Sequence, residues 1–287
     1  MNQKAEIGVI GGSGFYSLLN VEHAQEVRLE TPFGDPSDAY VIGEIAGRRV
    51  AFLARHGRGH KLSPSELNFR ANIYGMKMLG VERILSLSAV GSMKEEHAPL
   101  DFVIPDQFFD RTRGRISTFF TDGVVAHISF ADPVCPQVAA VAHAAARESD
   151  INSKLGGTYL CMEGPAFSTR AESNVYRGWG MDVIGMTNLQ EAKLAREAEI
   201  CYATVAMVTD YDCWKVEEEP VSAQTVFEHL VANAETAKRI LAAAIPKIPQ
   251  LADWPEHFAL ETALTTERKL WPKATLKRLM PILKRFA

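Results

Sequence analysis

Ile7-Gly8-Val9-Ile10-Gly11-Gly12-Ser13-Gly14 decides how the start of this 287-residue chain is read. A short apolar run bounded by glycines predicts a buried strand. The residues after it form a turn in which glycine admits positive φ and lets the backbone approach an anion, while the serine hydroxyl adds a donor. A dinucleotide-binding turn asks for G-x-G-x-x-G. Here Gly12 and Gly14 are followed by Ser17, so the third glycine is missing. A triphosphate-binding loop asks for Gly-Lys-Ser/Thr, which is absent too. The loop fits a small anion, and it fits a tight strand-to-helix turn without a ligand as well.

Strand and helix patterns alternate outward from this point. Tyr40–Ile45 and Val50–Leu53 predict strands around a turn at Gly47, and Ser65–Leu79 predicts a helix opened by Ser63-Pro64. Ile84–Val90 is a buried strand ending at Gly91. Gln137–Arg147 is alanine-rich and helical, Gly157–Met162 and Asp182–Met186 are strands, and Tyr202–Val208 is a strand running into Thr209-Asp210. Ser222–Ala244 has helical spacing. The alternation predicts an α/β fold on a mostly parallel sheet. With no repeat, low-complexity tract or linker, one domain over residues 1–287 is expected, with 250–287 a helical tail. Within the tail, Lys273–Arg285 predicts a basic amphipathic helix that Pro281 kinks or ends. A solvated helix packed on its own or a neighbouring subunit is favoured there over a membrane contact.

Composition narrows the function classes. The formal charge is −4 and 47% of residues are hydrophobic. A polyanion binder normally shows a basic excess or stripe, so nucleic acid is not an expected partner. No apolar run reaches the ~20 residues that span a bilayer. No basic stretch followed by a long apolar run marks a signal peptide. Cys135, Cys161, Cys201 and Cys213 form no C-x-x-C pair; reduced thiols in the cytoplasm are expected.

Three strand ends offer groups that suit phosphate. The first carries Arg55-His56-Gly57-Arg58-Gly59-His60, and arginine supplies a planar fork for phosphate oxygens. A second ends in Ser88-Ala89-Val90-Gly91-Ser92 and a third in Met186-Thr187-Asn188. In open α/β sheets ligands bind at strand ends. Together these groups would make a phosphate cup; taken alone, the first is also a solvated basic turn. His56 and His60 lack a third partner at metal-ligand spacing, so no metal is expected.

Thr209-Asp210-Tyr211-Asp212 places two carboxylates after the strand Tyr202–Val208. If extension continues, alternation puts Asp210 and Asp212 on one side. Paired carboxylates repel, so one tends to keep its proton near neutral pH. That leaves one donor and one acceptor, the complement of adenine N7 and the N6 amine. Protonating N7 makes adenine a better leaving group. An aspartate-rich cap is the bland reading of the same residues. Carboxylate pairs also serve glycoside hydrolysis, but a phosphate cup argues against water as the nucleophile.

The chain resembles the trimeric purine nucleoside phosphorylases from about Ile7 to Leu230. The residues that carry the resemblance are Gly11-Gly12-Ser13-Gly14, Thr31-Pro32-Phe33-Gly34, Ala54-Arg55-His56-Gly57, Asn68-Phe69-Arg70-Ala71-Asn72, Glu163-Gly164-Pro165, Phe167-Ser168, Ala171-Glu172, Gly185-Met186-Thr187 and Ala206–Trp214. Members acting on 6-oxopurines usually carry Asn where Asp210 stands. The resemblance therefore implies phosphorolysis of S-methyl-5'-thioadenosine, with 5'-deoxyadenosine, adenosine or 6-oxopurine nucleosides as alternatives.

It further implies that Ser13, Arg55, His56, Ser88, Ala89 and Thr187 hold phosphate, Ala89 through its backbone. Met186 would lie against the ribose, and Phe167 and Ser168 would border the base. Asp210 would serve N7 and Asp212 the N6 amine. The 5' substituent would lie near His60, Val226 and Phe227, with His127 reaching in from a neighbouring subunit. Ser13 and Ser88 stand where threonine is frequent, and Phe227 is larger than the usual aliphatic residue. The implied assembly is a homotrimer or a dimer of trimers, and no cofactor is implied beyond phosphate as co-substrate.

Overall fold

The computed structural model describes residues 4–12, 21–215, 223–250 and 253–286, without the side chains of 223–227. The strands in chain order are β1 (Ile7–Gly11), β2 (Glu22–Val27), β3 (Tyr40–Ile45), β4 (Arg48–Ala54), β5 (Arg83–Ser92), β6 (Phe102–Ile104), β7 (Gln107–Arg111), β8 (Ser153–Leu155), β9 (Thr158–Met162), β10 (Val183–Gly185) and β11 (Cys201–Asp210). The helices are α1 (Phe69–Met78), α2 (Pro136–Glu148), α3 (Arg170–Gly178), α4 (Asn188–Glu197), α5 (Ala223–Ala244), α6 (Lys273–Arg278) and α7 (Met280–Leu283). All described strands join one sheet, ordered β2-β3-β4-β1-β5-β10-β9-β7, with β11 pairing β5 and β6, and β8 pairing β6. The α/β expectation holds.

The central strands are apolar on both sides because both faces are covered. Along β5 and β11, Leu85, Leu87, Ala203 and Val205 face one cluster, which takes in Val138 and Ala142 of α2 and Ala237 and Leu241 of α5. Ile84 and Tyr202, one residue out of phase, face the other, with Ile73 of α1 and Leu194 and Ala195 of α4. This is the period-two alternation of a strand between two layers.

Several elements differ from the sequence expectation. The segment from Ser65 is a 3₁₀ turn, Pro64–Glu66, before α1 begins with Asn68 as its cap; the Asn68 side chain accepts from Ala71 N. The residues just before α1 therefore do not join the helix. The stretch expected as one basic helix, Lys273–Arg285, instead holds two short helices, α6 and α7, with Pro281 in the first turn of the second. They pack on their own chain. Leu279, Ile282 and Leu283 enter the cluster beneath α1, and Tyr74 Oη donates to Arg278 O at 2.6 Å.

The sheet opens where the site lies. One edge of β5 runs parallel to β11 from Arg83 to Gly91. The other pairs with β1 from Arg83 to Ser86, then with antiparallel β10 at Gly91 and Ser92. Residues 87–90 have no strand partner on that edge among the described residues, which exposes their backbone to the space beyond β1.

Candidate active site

A cavity of about 500 Å³ fills this opening. Its wall includes Gly12, Arg55, His56 and His60 from the turns after β1 and β4. Ser88, Ala89, Val90 and Gly91 come from β5, and Ile184, Gly185, Met186 and Thr187 from β10 and its end. Thr209, Asp210 and Asp212 follow from the end of β11, and Phe167 closes the wall ahead of α3. The phosphate, ribose and carboxylate residues inferred from the sequence thus meet on one surface, with four exceptions and one displacement. Ser13 lies outside the described residues, and Val226 and Phe227 are on α5 with side chains outside them. His127 is exposed and does not line the cavity of its own chain. Ser168 is buried behind the wall, its hydroxyl 3.7 Å from Met162 Sδ.

At one end, Arg55 is fully buried and its fork is already engaged. Nε donates to Glu191 Oε1 at 2.5 Å and Nη2 to Glu191 Oε2 at 3.1 Å. Nη1 donates to Leu87 O at 2.9 Å, a carbonyl in the unpaired stretch of β5. Burial disfavours the Arg55 charge, but the Glu191 carboxylate outweighs it and keeps the guanidinium ionised. Arg55 therefore offers an anion its charge and its remaining N–H of Nη1, not the bidentate fork. Glu191 also accepts from Ser86 Oγ at 2.7 Å and Tyr202 Oη at 2.8 Å.

His56 differs again from a cationic anchor. Burial, then the Arg55 charge, pushes its pKa down to about 4, so it is neutral near pH 7. Its Nδ1 is 2.8 Å from Leu62 O. A carbonyl only accepts, so Nδ1 carries the proton and Nε2 is left as an acceptor. A neutral histidine of this tautomer suits a phosphate that still carries a P–OH. Ser88 Oγ lies 3.1 Å from Tyr159 Oη. Thr187 is the N-cap of α4, where the helix N-terminus favours negative charge.

The other end is made by the carboxylates. The extension expected through Asp212 does not occur. β11 shifts register between Val208 and Asp210 and ends there, and Asp212 has φ 51°. A tight turn, not strand alternation, brings the two together: Asp212 N donates to Asp210 Oδ1 at 2.8 Å. Thr209 Oγ1 donates to Asp210 Oδ2 at 2.6 Å. Burial raises the Asp210 pKa to about 6, with the neighbouring Asp212 charge a smaller contribution. Burial raises that of Asp212 as well. Mutual repulsion is thus the lesser cause of the shift, which is mainly desolvation.

Two positioning residues leave no sequence signal. Arg115 Nη1 donates to Met186 O at 2.5 Å and Nη2 to Glu163 O at 2.5 Å, tying two wall segments together. His229 of α5 bonds to Thr209 O. Each pairing spans a sequence separation that no local pattern reports.

A family model described as the phosphorylase superfamily matches residues 6–246. The chain belongs to the phosphorylase superfamily. Among similar superfamily proteins is S-methyl-5'-thioadenosine phosphorylase of Koribacter versatilis, 59% identical over 99% of this chain and 97% of that protein. The protein of the same name from Gloeobacter violaceus is 57% identical over 99% and 96%. A methylthioadenosine phosphorylase from an antarctic soil metagenomic library superposes with a TM-score of 0.92 at 49% identity, covering 98% of this chain and 99% of that one. A methylthioadenosine phosphorylase from Schistosoma mansoni, in complex with adenine, gives 0.85 at 34% identity over 93% and 100%. The resemblance to nucleoside phosphorylases drawn from the sequence motifs thus holds.

Proposed function

We propose that the chain phosphorolyses S-methyl-5'-thioadenosine to adenine and 5-methylthioribose 1-phosphate. The observation that carries this reading is a single cavity with basic and hydroxyl groups at one end and a raised-pKa carboxylate at the other. The names of the relatives above point the same way.

In this reaction a phosphate oxygen bonds to C1' as the C1'–N9 bond breaks. The bonding electrons pass to the purine, and Asp210 delivers a proton to N7. Asp212 accepts from the N6 amine. Arg55, Ser88, the Ala89 backbone and Thr187 hold phosphate, with His56 accepting from its P–OH; Ser13 joins them in the resemblance. Met186 lines the ribose, Phe167 borders the base, and His60, Val226 and Phe227 take the 5' group. Alignment of two bound reactants supplies much of the rate. No step calls for a metal or organic cofactor. The pathway role is purine and methionine salvage in the cytoplasm; among the described residues no helix is long and apolar enough to cross a membrane. We assign the working assembly as a homotrimer or a dimer of trimers, in which His127 of a neighbouring copy completes the 5' end.

The decisive experiment is adenine release with and without phosphate. The expected result is a stall in phosphate-free buffer and a sugar 1-phosphate product when phosphate returns. Release of free methylthioribose at full rate without phosphate overturns the reading. A set of rates on S-methyl-5'-thioadenosine, 5'-deoxyadenosine, adenosine and a 6-oxopurine nucleoside ranks the alternatives.

A further inference from the structure

A second cluster of reactive side chains lies at the opposite end of β11 from Asp210. Cys201 is the first residue of that strand and Asp210 the last, a separation of ~30 Å at about 3.3 Å per residue. Cys135 is the N-cap of α2. Glu256 and His257 sit in the 3₁₀ turn Pro255–Phe258. The two sulfurs and a Glu256 carboxylate oxygen lie within 4.8 Å of one another, and all three residues are buried. We propose that Cys135, Cys201, Glu256 and His257 form a structural site for a thiophilic divalent cation of the zinc class.

The spacing suits such an ion. Tetrahedral zinc takes sulfur at about 2.3 Å and nitrogen or oxygen at about 2.0–2.2 Å, which sets neighbouring ligand atoms ~3.5–3.8 Å apart. Cys201 Sγ is 3.5 Å from His257 Nε2 and 3.8 Å from Glu256 Oε2. Three separate segments of the chain supply these atoms: the two sulfurs and a Glu256 oxygen cluster within 4.8 Å, and His257 Nε2 adjoins Cys201 Sγ at 3.5 Å as the fourth.

The tautomer of His257 suits it too. Its Nδ1 lies 3.3 Å from Glu199 O, so Nδ1 carries the hydrogen and the Nε2 lone pair faces Cys201. A backbone carbonyl holding the far nitrogen is the usual support of a metal-ligating histidine. Trp254 stacks on the ring, 6.0 Å between centroids at 12°, and fixes its plane.

Charge points the same way. Glu256 is 8% exposed, and its hydrogen-bond partner among the described residues is the Cys201 thiol. A carboxylate this buried asks for a countercharge. Arg83 is a cation whose field reaches Cys201, but its Nη1 is already paired with Glu82 at 2.6 Å. A dication bound by two thiolates and Glu256 leaves one negative charge for Arg83 to face. Binding would release the two thiol protons to solvent, with no change of oxidation state.

Cobalt(II) and then zinc(II) are the probes, added to the full-length chain without a histidine tag and under a non-thiol reductant. The expected result is one cobalt per chain with a near-ultraviolet thiolate-to-cobalt charge-transfer band, displaced by zinc. Thermal stability should rise with zinc concentration by mass action. Cys201→Ser should lose the band and the zinc-dependent stabilisation while still releasing adenine; if it does not fold, Cys135→Ser carries the same test, and Glu256→Gln should reduce the zinc-dependent stabilisation. No band in folded, fully reduced wild type overturns the site, as does a band that survives both serine variants. Two titratable thiols instead of four in the unreduced, denatured chain would mean a Cys135–Cys201 disulfide and also overturn it.

Discussion

Glu191 accepts from both Nε and Nη2 of Arg55, at 2.5 and 3.1 Å, and so engages the fork of a residue that lines the cavity. The pair is buried on both sides. Removing one member leaves the other charge uncompensated, which costs about 3–5 kcal/mol in buried pairs. Arg55→Ala should therefore lower unfolding stability by about that amount and also raise the phosphate KM. Chemical denaturation gives the first quantity and phosphate saturation of the folded variant the second. A phosphate KM left at the wild-type value would reduce Arg55 to a structural role.

Gly91 is where β10 rejoins β5, and the carboxylates crowd it. A Cβ there would lie 3.0 Å from Asp210 Oδ1, 3.1 Å from Ile184 Cγ2 and 3.4 Å from Asp212 Cβ. Gly91→Ala should shift Asp210 by a few tenths of an ångström. Since a 1 Å misplacement costs on the order of 10²-fold, kcat should fall about tenfold while the phosphate KM holds. An equal loss through the phosphate KM alone would contradict this placement.

The strand ends are legible because each is a local signal: a buried apolar run stopping at Gly91, or at Thr187, or at Asp210. What escapes the sequence is long-range or conformational. Arg55 and Glu191 are 136 residues apart, so nothing near Arg55 announces that its fork is taken. Asp212 does reach the cavity, but through a turn with positive φ and not through the extension that alternation assumes. β2 leaves no mark in the sequence since its residues are mostly exposed and polar, lacking the apolar periodicity of a buried strand.

His127 is exposed on its own chain, anchored by its backbone N–H to Ala263 O at 2.8 Å. Its proposed role needs a second copy. Light scattering should show a trimer or a multiple of three, and activity should fall on dilution below the assembly range. His127→Ala should raise the KM for S-methyl-5'-thioadenosine without changing the assembly. A fully active monomer would remove both the assembly and the role of His127.

In the proposed reaction, Asp210 is the residue on which base choice and proton delivery meet. Its pKa of about 6 lies above the usual carboxylate value because burial disfavours the anion. The acid form is therefore present below about 6 and is lost as pH rises through that value. In the free enzyme, kcat/KM for the nucleoside should fall along a limb near pH 6, on top of the ionisation of phosphate itself. Asp210→Asn removes the transferable proton but keeps the shape, so the limb should vanish while the phosphate contribution stays. Its amide can still meet N7 or O6. A 6-oxo group facing ionised Asp212 leaves an acceptor mismatch of roughly 1–3 kcal/mol, so wild type should prefer adenine nucleosides by about tenfold or more. The variant should lose most of its kcat on S-methyl-5'-thioadenosine and shift in relative terms toward the 6-oxo analogue. The comparison is kcat/KM on both substrates across pH, for both proteins. If the limb, the rate and the ratio all survive Asp210→Asn, the proton reaches N7 from another group.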